Sequence, residues 1–217
     1  MQLTLAPVRA YGPKWSPDGS RIAFTDVRFE QPWSIGVVSA AGGPPKFFTG
    51  ADPTWMPNGR SLICGRAKPD DEAPFAGIFR LDLDSGNASF IPNSEGHYSA
   101  RLSPDGRYIA AFSQAATDLL LFDSRTSHWS SLATGELFSY NQWSHDGKYI
   151  YMRDNHAGIP RIVRVHMQSG RMEQVVSLKD LPQVVDVFTG WIGLTPEDDP
   201  ILIRDRSTHE IYALDLQ

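Results

Sequence analysis

The sequence predicts an all-β fold, a five-bladed β-propeller of four-stranded antiparallel blades. A short phrase recurs along the chain as Trp15-Ser16-Pro17-Asp18-Gly19, Trp55-Met56-Pro57-Asn58-Gly59, Leu102-Ser103-Pro104-Asp105-Gly106 and Trp143-Ser144-His145-Asp146-Gly147, and in degraded form as Leu194-Thr195-Pro196-Glu197-Asp198. The steps between copies are 40, 47, 41 and 51 residues, the period of propeller blades rather than of helical solenoids. Each copy is followed by short runs of β-branched and aromatic residues separated by turn formers.

Each phrase marks the turn of a hairpin. Proline pre-sets φ at the first central position, Asp or Asn bonds to nearby backbone, and glycine supplies a left-handed residue that re-enters the ladder. In the first repeat the strands Arg21 to Thr25, Ser34 to Val38 and Lys46 to Phe48 follow, the last two joined by Ala41-Gly42-Gly43-Pro44-Pro45. The second repeat offers Leu62 to Cys64, Ile78 to Leu83 and Ala88 to Ile91; the third offers Tyr108 to Phe112, Leu119 to Asp123 and His128 to Leu132. Tyr149 to Met152, Ile162 to Val165 and Met172 to Val176 make the fourth.

The fifth repeat has Ile201 to Arg204 and Glu210 to Leu214 but no fourth strand, so a strand at Gln2 to Leu5 is expected to close the last blade and protect the sheet edges. The domain then spans 1–217, with blades at about 7–50, 51–93, 94–134, 135–181 and 182–217 plus 1–6. The turn residues Trp15, Pro17, Asp18, Gly19, Trp55, Pro57, Gly59, Pro104, Asp105, Gly106, Trp143, Asp146 and Gly147 are structural, and the Trp and Leu side chains are expected between blades. The fifth copy lacks the turn glycine and is expected to close differently.

At these turns the chain resembles the repeats of TolB-type, WD-repeat-like β-propellers over essentially its whole length. The stretch from Ile201 to Asp215 is similar to the C-terminal propeller of acidobacterial-type bacterial regulator or kinase proteins, in which a membrane span precedes the propeller. That resemblance implies a sensing or protein-binding module. It also places the propeller in the periplasm if the chain is one domain of a membrane-anchored protein, whereas the N-terminus as written has no signal peptide and fits the cytoplasm.

Composition narrows the function. A formal net charge of -5 with scattered Lys and Arg disfavours nucleic acid, and no apolar run approaches the length of a membrane span. The single Cys64 sits in an apolar run and reads as a core residue. Nucleophile-elbow, zinc-protease and phosphate-loop motifs are missing, so neither catalytic residues nor a cofactor are predicted. His97, His156 and His209 fall in loops of one face, yet no metal-ligand spacing links them and no metal is predicted.

The expected function is therefore a non-catalytic binding or scaffold module that takes a protein or peptide partner, or a small ligand, on one loop face. The alternatives are a C-terminal sensor propeller of a larger regulatory protein and a metal-dependent propeller lyase or lactonase. The loops Asp26 to Trp33, Gly65 to Gly77, Asn93 to Tyr98, Glu136 to Tyr140, Arg153 to Pro160 and Arg204 to Glu210 mix charged and aromatic residues. Within them the candidate binding residues are Arg28, Glu30, His97, Tyr98, Tyr140, Asp154, His156 and Arg204.

Overall fold

The structure, a computed structural model, describes residues 2–28, 32–66, 77–181 and 192–203. Four antiparallel sheets of four strands follow one another. The first holds β1 (Ala10–Trp15), β2 (Arg21–Asp26), β3 (Ser34–Ser39) and β4 (Lys46–Thr49), and the second holds β5 (Ala51–Trp55), β6 (Ser61–Arg66), β7 (Gly77–Asp82) and β8 (Ala88–Phe90). The third has β9 (Tyr98–Leu102), β10 (Tyr108–Phe112), β11 (Asp118–Asp123) and β12 (His128–Thr134); the fourth has β13 (Phe138–Trp143), β14 (Tyr149–His156), β15 (Ile159–His166) and β16 (Met172–Ser177).

The expectation of five blades is corrected to four complete ones. The fifth repeat contributes a two-stranded hairpin, β17 (Ile192–Leu194) with β18 (Pro200–Leu202), and its remaining predicted strands lie outside the described residues. Nor is there a closing strand at Gln2 to Leu5. That backbone turns on itself instead, with Val8 N donating to Leu5 O at 3.1 Å and the Gln2 amide donating to Thr4 O at 2.8 Å, which leaves Leu5 exposed.

The apolar core is divided among the seams. Ala23, Ile35, Trp55, Leu62 and Leu81 join blades one and two; Ile63, Ile78, Ile109 and Phe122 join two and three; Phe112, Leu119, Trp143, Ile150 and Met152 join three and four. Tyr151, Ile162 and Leu178 pack against Leu194 and Leu202 of the last hairpin. Such a row of similar interfaces is how stacked repeats bury faces that none could bury alone.

The recurring phrase owes its residues to a small hydrogen-bond circuit. Ser16 Oγ donates to Asp18 Oδ1 at 2.6 Å and accepts from Arg21 N at 2.9 Å, while Asp18 Oδ1 accepts from Ser20 N at 3.1 Å. Ser103 with Asp105 and Ser144 with Asp146 repeat this arrangement. Met56 has no hydroxyl to offer, and Asn58 Oδ1 alone accepts from Arg60 N at 2.9 Å and Ser61 N at 3.2 Å. The Ser16 hydroxyl and the Ser20 backbone hold the Asp18 carboxyl down at about 2. The turn glycines Gly19, Gly59, Gly106 and Gly147 all sit between φ +64° and +74°.

The fifth turn closes differently, as expected: Thr195 N donates to Asp199 O at 2.9 Å, one residue sooner than Ser16 N to Arg21 O, and Thr195 Oγ1 accepts from Glu197 N and Asp199 N. Asp198 occupies the left-handed position at φ 66°, and its N–H donates to Thr195 O at 3.0 Å as Gly19 N does to Ser16 O at 2.9 Å. Two departures from the repeat meet there: His145, standing where proline is usual, and Asp198, standing where glycine is usual. Asp198 Oδ1 accepts from His145 N at 3.0 Å and lies 2.6 Å from its Nδ1. At two other seams the same positions make an apolar contact, Pro57 against Gly106 and Pro104 against Gly147. One seam has thus exchanged a ring-on-glycine contact for a hydrogen-bonded pair.

The Trp side chains act as latches between blades. Trp55 Nε1 donates to Lys14 O of the preceding blade at 2.9 Å, and Trp143 Nε1 donates to Arg101 O at 3.0 Å. Both rings are buried, with Leu102 half-buried in the corresponding place. Trp15 departs from the expected packing. It is 62% exposed, against 8% for Trp55 and 5% for Trp143, because no described blade precedes the first one.

Candidate binding cavity at the channel mouth

The four inner strands share an irregularity that builds the site. The β1–β2, β5–β6, β9–β10 and β13–β14 ladders each slip at one place, where two inner-strand residues face one residue of the partner. The first residue of each bulge is left-handed: Gly12 at φ 57°, Asp52 at 53°, Ser99 at 55° and Tyr140 at 56°. A bulge bends its strand and re-aims the side chains beside it. Repeated around the axis, it turns a ring of polar and aromatic groups toward one mouth of the central channel.

There a cavity of about 430 Å³ opens, bounded by Tyr11 and Lys14 of β1, Asp52 of β5, Tyr98 and Arg101 of β9, and Tyr140 of β13, with Trp33 from the loop before β3. Arg101 Nη2 donates to Asp52 Oδ1 at 2.7 Å and Nη1 donates to Ala100 O at 2.9 Å. Asp52 is positioned in turn by its N–H, which donates to Thr25 Oγ1 at 2.8 Å, so three blades meet in this cluster. Ser99 Oγ reaches Asn141 Oδ1 at 3.2 Å and continues the contacts into the fourth blade.

The electrostatics of the cavity are unbalanced toward positive charge. Asp52 is engaged by Arg101, while the Lys14 ammonium has no hydrogen-bond partner among the described residues. Burial pulls the Lys14 pKa down from 10.5 to about 8; Arg101 adds to the fall and Asp52 opposes it. The Tyr11 phenol is pushed up by burial first, then by Tyr140, with which it hydrogen-bonds, and by Asp52. Burial also raises Tyr98. The Tyr11 and Tyr98 phenols therefore stay neutral, as donors and apolar faces around two cationic groups.

Of the candidates named from sequence, Tyr98 and Tyr140 line this cavity. Arg28 pairs with buried Asp26 at 2.7 Å and lies over the Phe47 ring at 5.7 Å. His97 stands edge-on to Trp129 with a centroid distance of 4.7 Å, and burial lowers its pKa. Asp154 is fully buried and takes a forked pair of bonds from Arg161 Nε and Nη2 at 2.9 and 2.7 Å. His156 pairs with Glu136 at 3.1 Å. Glu30, Arg204 and His209 lie outside the described residues.

The stretch from Arg153 to Pro160, expected as a loop, is instead the end of β14, a tight turn at Ala157 and Gly158, and the start of β15. Long strands on both sides of a two-residue turn satisfy the backbone that the sequence reading had left open, with pairs from Tyr149 to His156. Cys64, by contrast, is buried in the core as expected. Among the described residues no three His, Cys, Asp or Glu side chains gather as a metal site, and no helix is long and apolar enough to cross a membrane.

Sequence reasoning overlooked Tyr11, Lys14, Asp52 and Arg101 because all four fall in inner strands. A signal was present. Pro13 and Pro53 interrupt two of those strands immediately after the left-handed residue, and proline inside a strand is tolerated at bulges and edges.

No family model and no curated protein matches the chain. Solved structures do. TolB from Acinetobacter baumannii superposes with a TM-score of 0.70 at 19% identity, over 88% of this chain and 47% of that one. A TolB of Agrobacterium tumefaciens, described as putative, gives 0.66 at 20% identity, over 86% of this chain and 70% of that one. An oligogalacturonate lyase in complex with manganese gives 0.64 at 16%, over 90% and 61%. The fold is that of TolB-like β-propellers, and the chain spans about half the length of the Acinetobacter protein. At these identities the likeness is one of fold, shared by enzymes and non-enzymes.

Proposed function

We propose that this propeller is a non-catalytic bacterial binding module whose recognition surface is the channel mouth, open to a protein segment or a small ligand. The observation that carries the reading is the ring of four left-handed bulges, which turns Tyr11, Lys14, Asp52, Tyr98, Arg101 and Tyr140 into one cavity from four separate strands. Left-handed non-glycine residues are strained, and strain repeated at one level of the channel is a feature of a built site. The volume lies in the range of ligand pockets, and the mixture of apolar ring faces with a few convergent polar groups is their usual lining. Two cations, phenols and an ion-paired carboxylate suit holding a ligand more than ligating a metal.

Photolabelling with a small library of diazirine-bearing fragments tests this reading. Labels on Tyr11, Tyr98 and Tyr140 are the expected result. Labels confined to the opposite turns, around Asp18, Asn58, Asp105 and Asp146, would overturn the choice of surface. Hydrolysis of peptidyl p-nitroanilides or cleavage of polygalacturonate, abolished by Tyr140→Ala, would overturn the non-catalytic half.

A second reading, a sensor propeller within a larger regulatory protein, draws on the 62% exposure of Trp15, whose counterparts are latched onto a preceding blade. Determining the reading frame on either side of this chain tests it. A stop codon before Met1 in frame, with no further repeats, would contradict that reading.

A further inference from the structure

We propose that the channel-mouth cavity selects small organic carboxylates, the acid group held by Lys14 and Arg101 and the hydrocarbon body lying against Tyr11, Tyr98, Tyr140 and Trp33. The inference rests on the binding-module reading and adds the ligand class.

Three observations carry it. First, Lys14 and Arg101 face one cavity with a single carboxylate between them, that of Asp52, so the cluster keeps one positive charge in excess when both bases are protonated. An unpaired ammonium in a partly desolvated site is costly, and the group that relieves it is an anion. Second, Arg101 is already fixed: Nη2 on Asp52, Nη1 on Ala100 O, and its own carbonyl bonded to Trp143 Nε1. Such a side chain loses little freedom on binding, which favours recognition by a set geometry. Its Nε is buried and has no partner among the described residues. Third, four aromatic side chains share the lining with the two cations, beside the smaller Gly12, Thr25, Val27, Ala51, Ser99 and Ser139. Tyr11, Tyr98 and Tyr140 are half-buried, and Trp33 is 38% exposed at the rim. Ring faces bind a hydrocarbon body and discriminate against inorganic anions, which would gain nothing from them.

The charge is local, because the whole chain carries a formal net charge of -5. A large acidic macromolecule would meet that field, whereas a small acid that fits within 430 Å³ meets the two cations first.

Calorimetric titration of the purified protein with 3-phenylpropanoate, its neutral amide 3-phenylpropanamide, and 2-phenylethylammonium tests the proposal. The acid is expected to bind at least about tenfold more tightly than the amide, the usual worth of a charge-assisted bond, and the ammonium compound not measurably. Lys14→Met should reduce the acid to the level of the amide while the far-ultraviolet circular dichroism stays unchanged. A second readout does not depend on a variant: 3-phenylpropanoate should slow acetylation of Lys14 by acetic anhydride, followed by mass spectrometry, without slowing that of Lys148 on the far turns. If acid and amide bind equally and both slow Lys14 acetylation, carboxylate selection is wrong and the channel-mouth reading survives. If none of the three binds, or if the acid protects Lys148 rather than Lys14, the proposal is overturned.

Discussion

Replacing the turn glycines with alanine one at a time gives a graded test of how the repeated phrase joins blades. Gly19, Gly106 and Gly147 have nearly the same φ, +70°, +74° and +70°, so each pays a similar left-handed penalty of about 1 kcal/mol. Their surroundings differ. A Cβ on Gly19 meets nothing within 4 Å, and one on Gly147 lies at an ordinary 3.6 Å from Pro104 Cδ. One on Gly106 would sit 2.8 Å from Pro57 Cγ and 3.2 Å from Cδ, a collision with a stiff ring on the neighbouring blade. Overpacking of that kind adds roughly 1–3 kcal/mol, for a total of about 2–4 kcal/mol at Gly106. In a domain of this size the loss is roughly 2–4 °C in Tm for each kcal/mol. Urea unfolding followed by tryptophan fluorescence should therefore rank Gly106→Ala as the most damaging, with Gly19→Ala and Gly147→Ala near each other. Pro57→Ala combined with Gly106→Ala should recover the excess, as a coupled pair must. Equal costs at all three glycines, or no recovery in the double variant, would refute the seam contact.

Three further outcomes follow from the same geometry. His145→Pro and Asp198→Gly should each destabilise by up to about 1 kcal/mol, the scale of an exposed side-chain hydrogen bond plus its backbone bond, while the double variant restores the proline-on-glycine contact and most of the loss; additive losses in urea titrations would contradict the pairing. Lys14→Met should stabilise the fold at pH 7 by about 1–3 kcal/mol, because the half-buried ammonium has its pKa lowered from 10.5 to about 8. The unfolded chain then holds more protons than the native one between those values, so wild-type stability rises with pH across that window and the advantage of Lys14→Met fades by pH 10.5; an advantage independent of pH would contradict the burial of a charge. Trp143→Phe removes the bond to Arg101 O and should cost about 1–2 kcal/mol in thermal or urea unfolding, with no change expected only if the latch carries no weight.

The blades were legible in the sequence because their turn chemistry is local. Pro17, Asp18 and Gly19 need only one another and Ser16, and the circuit they form in the structure follows from their side-chain inventories. Blade number was less legible, since a phrase marks where a hairpin begins and is silent on which strands pair beyond it. Gln2 to Leu5 could have added to an edge, but Pro7 supplies no N–H and the backbone before Val8 bonds locally. Asp198 at φ 66° shows the opposite failing: glycine is the usual left-handed residue, yet aspartate serves when its carboxylate finds His145. The cavity was legible in part. Tyr98 and Tyr140 fall in stretches that mix charged and aromatic residues and stand out as loop candidates, whereas Lys14 and Arg101 lie inside inner strands, where strict alternation predicts no shared cavity. A bulge breaks that alternation, and only Pro13 and Pro53 announced it.

The central claim is that ligands enter at the ring of bulges and not at the repeated turns, and a backbone chemical-shift map tests it most directly. The uniformly 15N-labelled protein, titrated with a mixture of small aromatic acids, should show its largest perturbations at the amides of Gly12, Asp52, Ser99 and Tyr140, with Gly19, Gly59, Gly106 and Gly147 unmoved. Perturbations centred on those four turn glycines, with the bulge amides unchanged, would contradict the account.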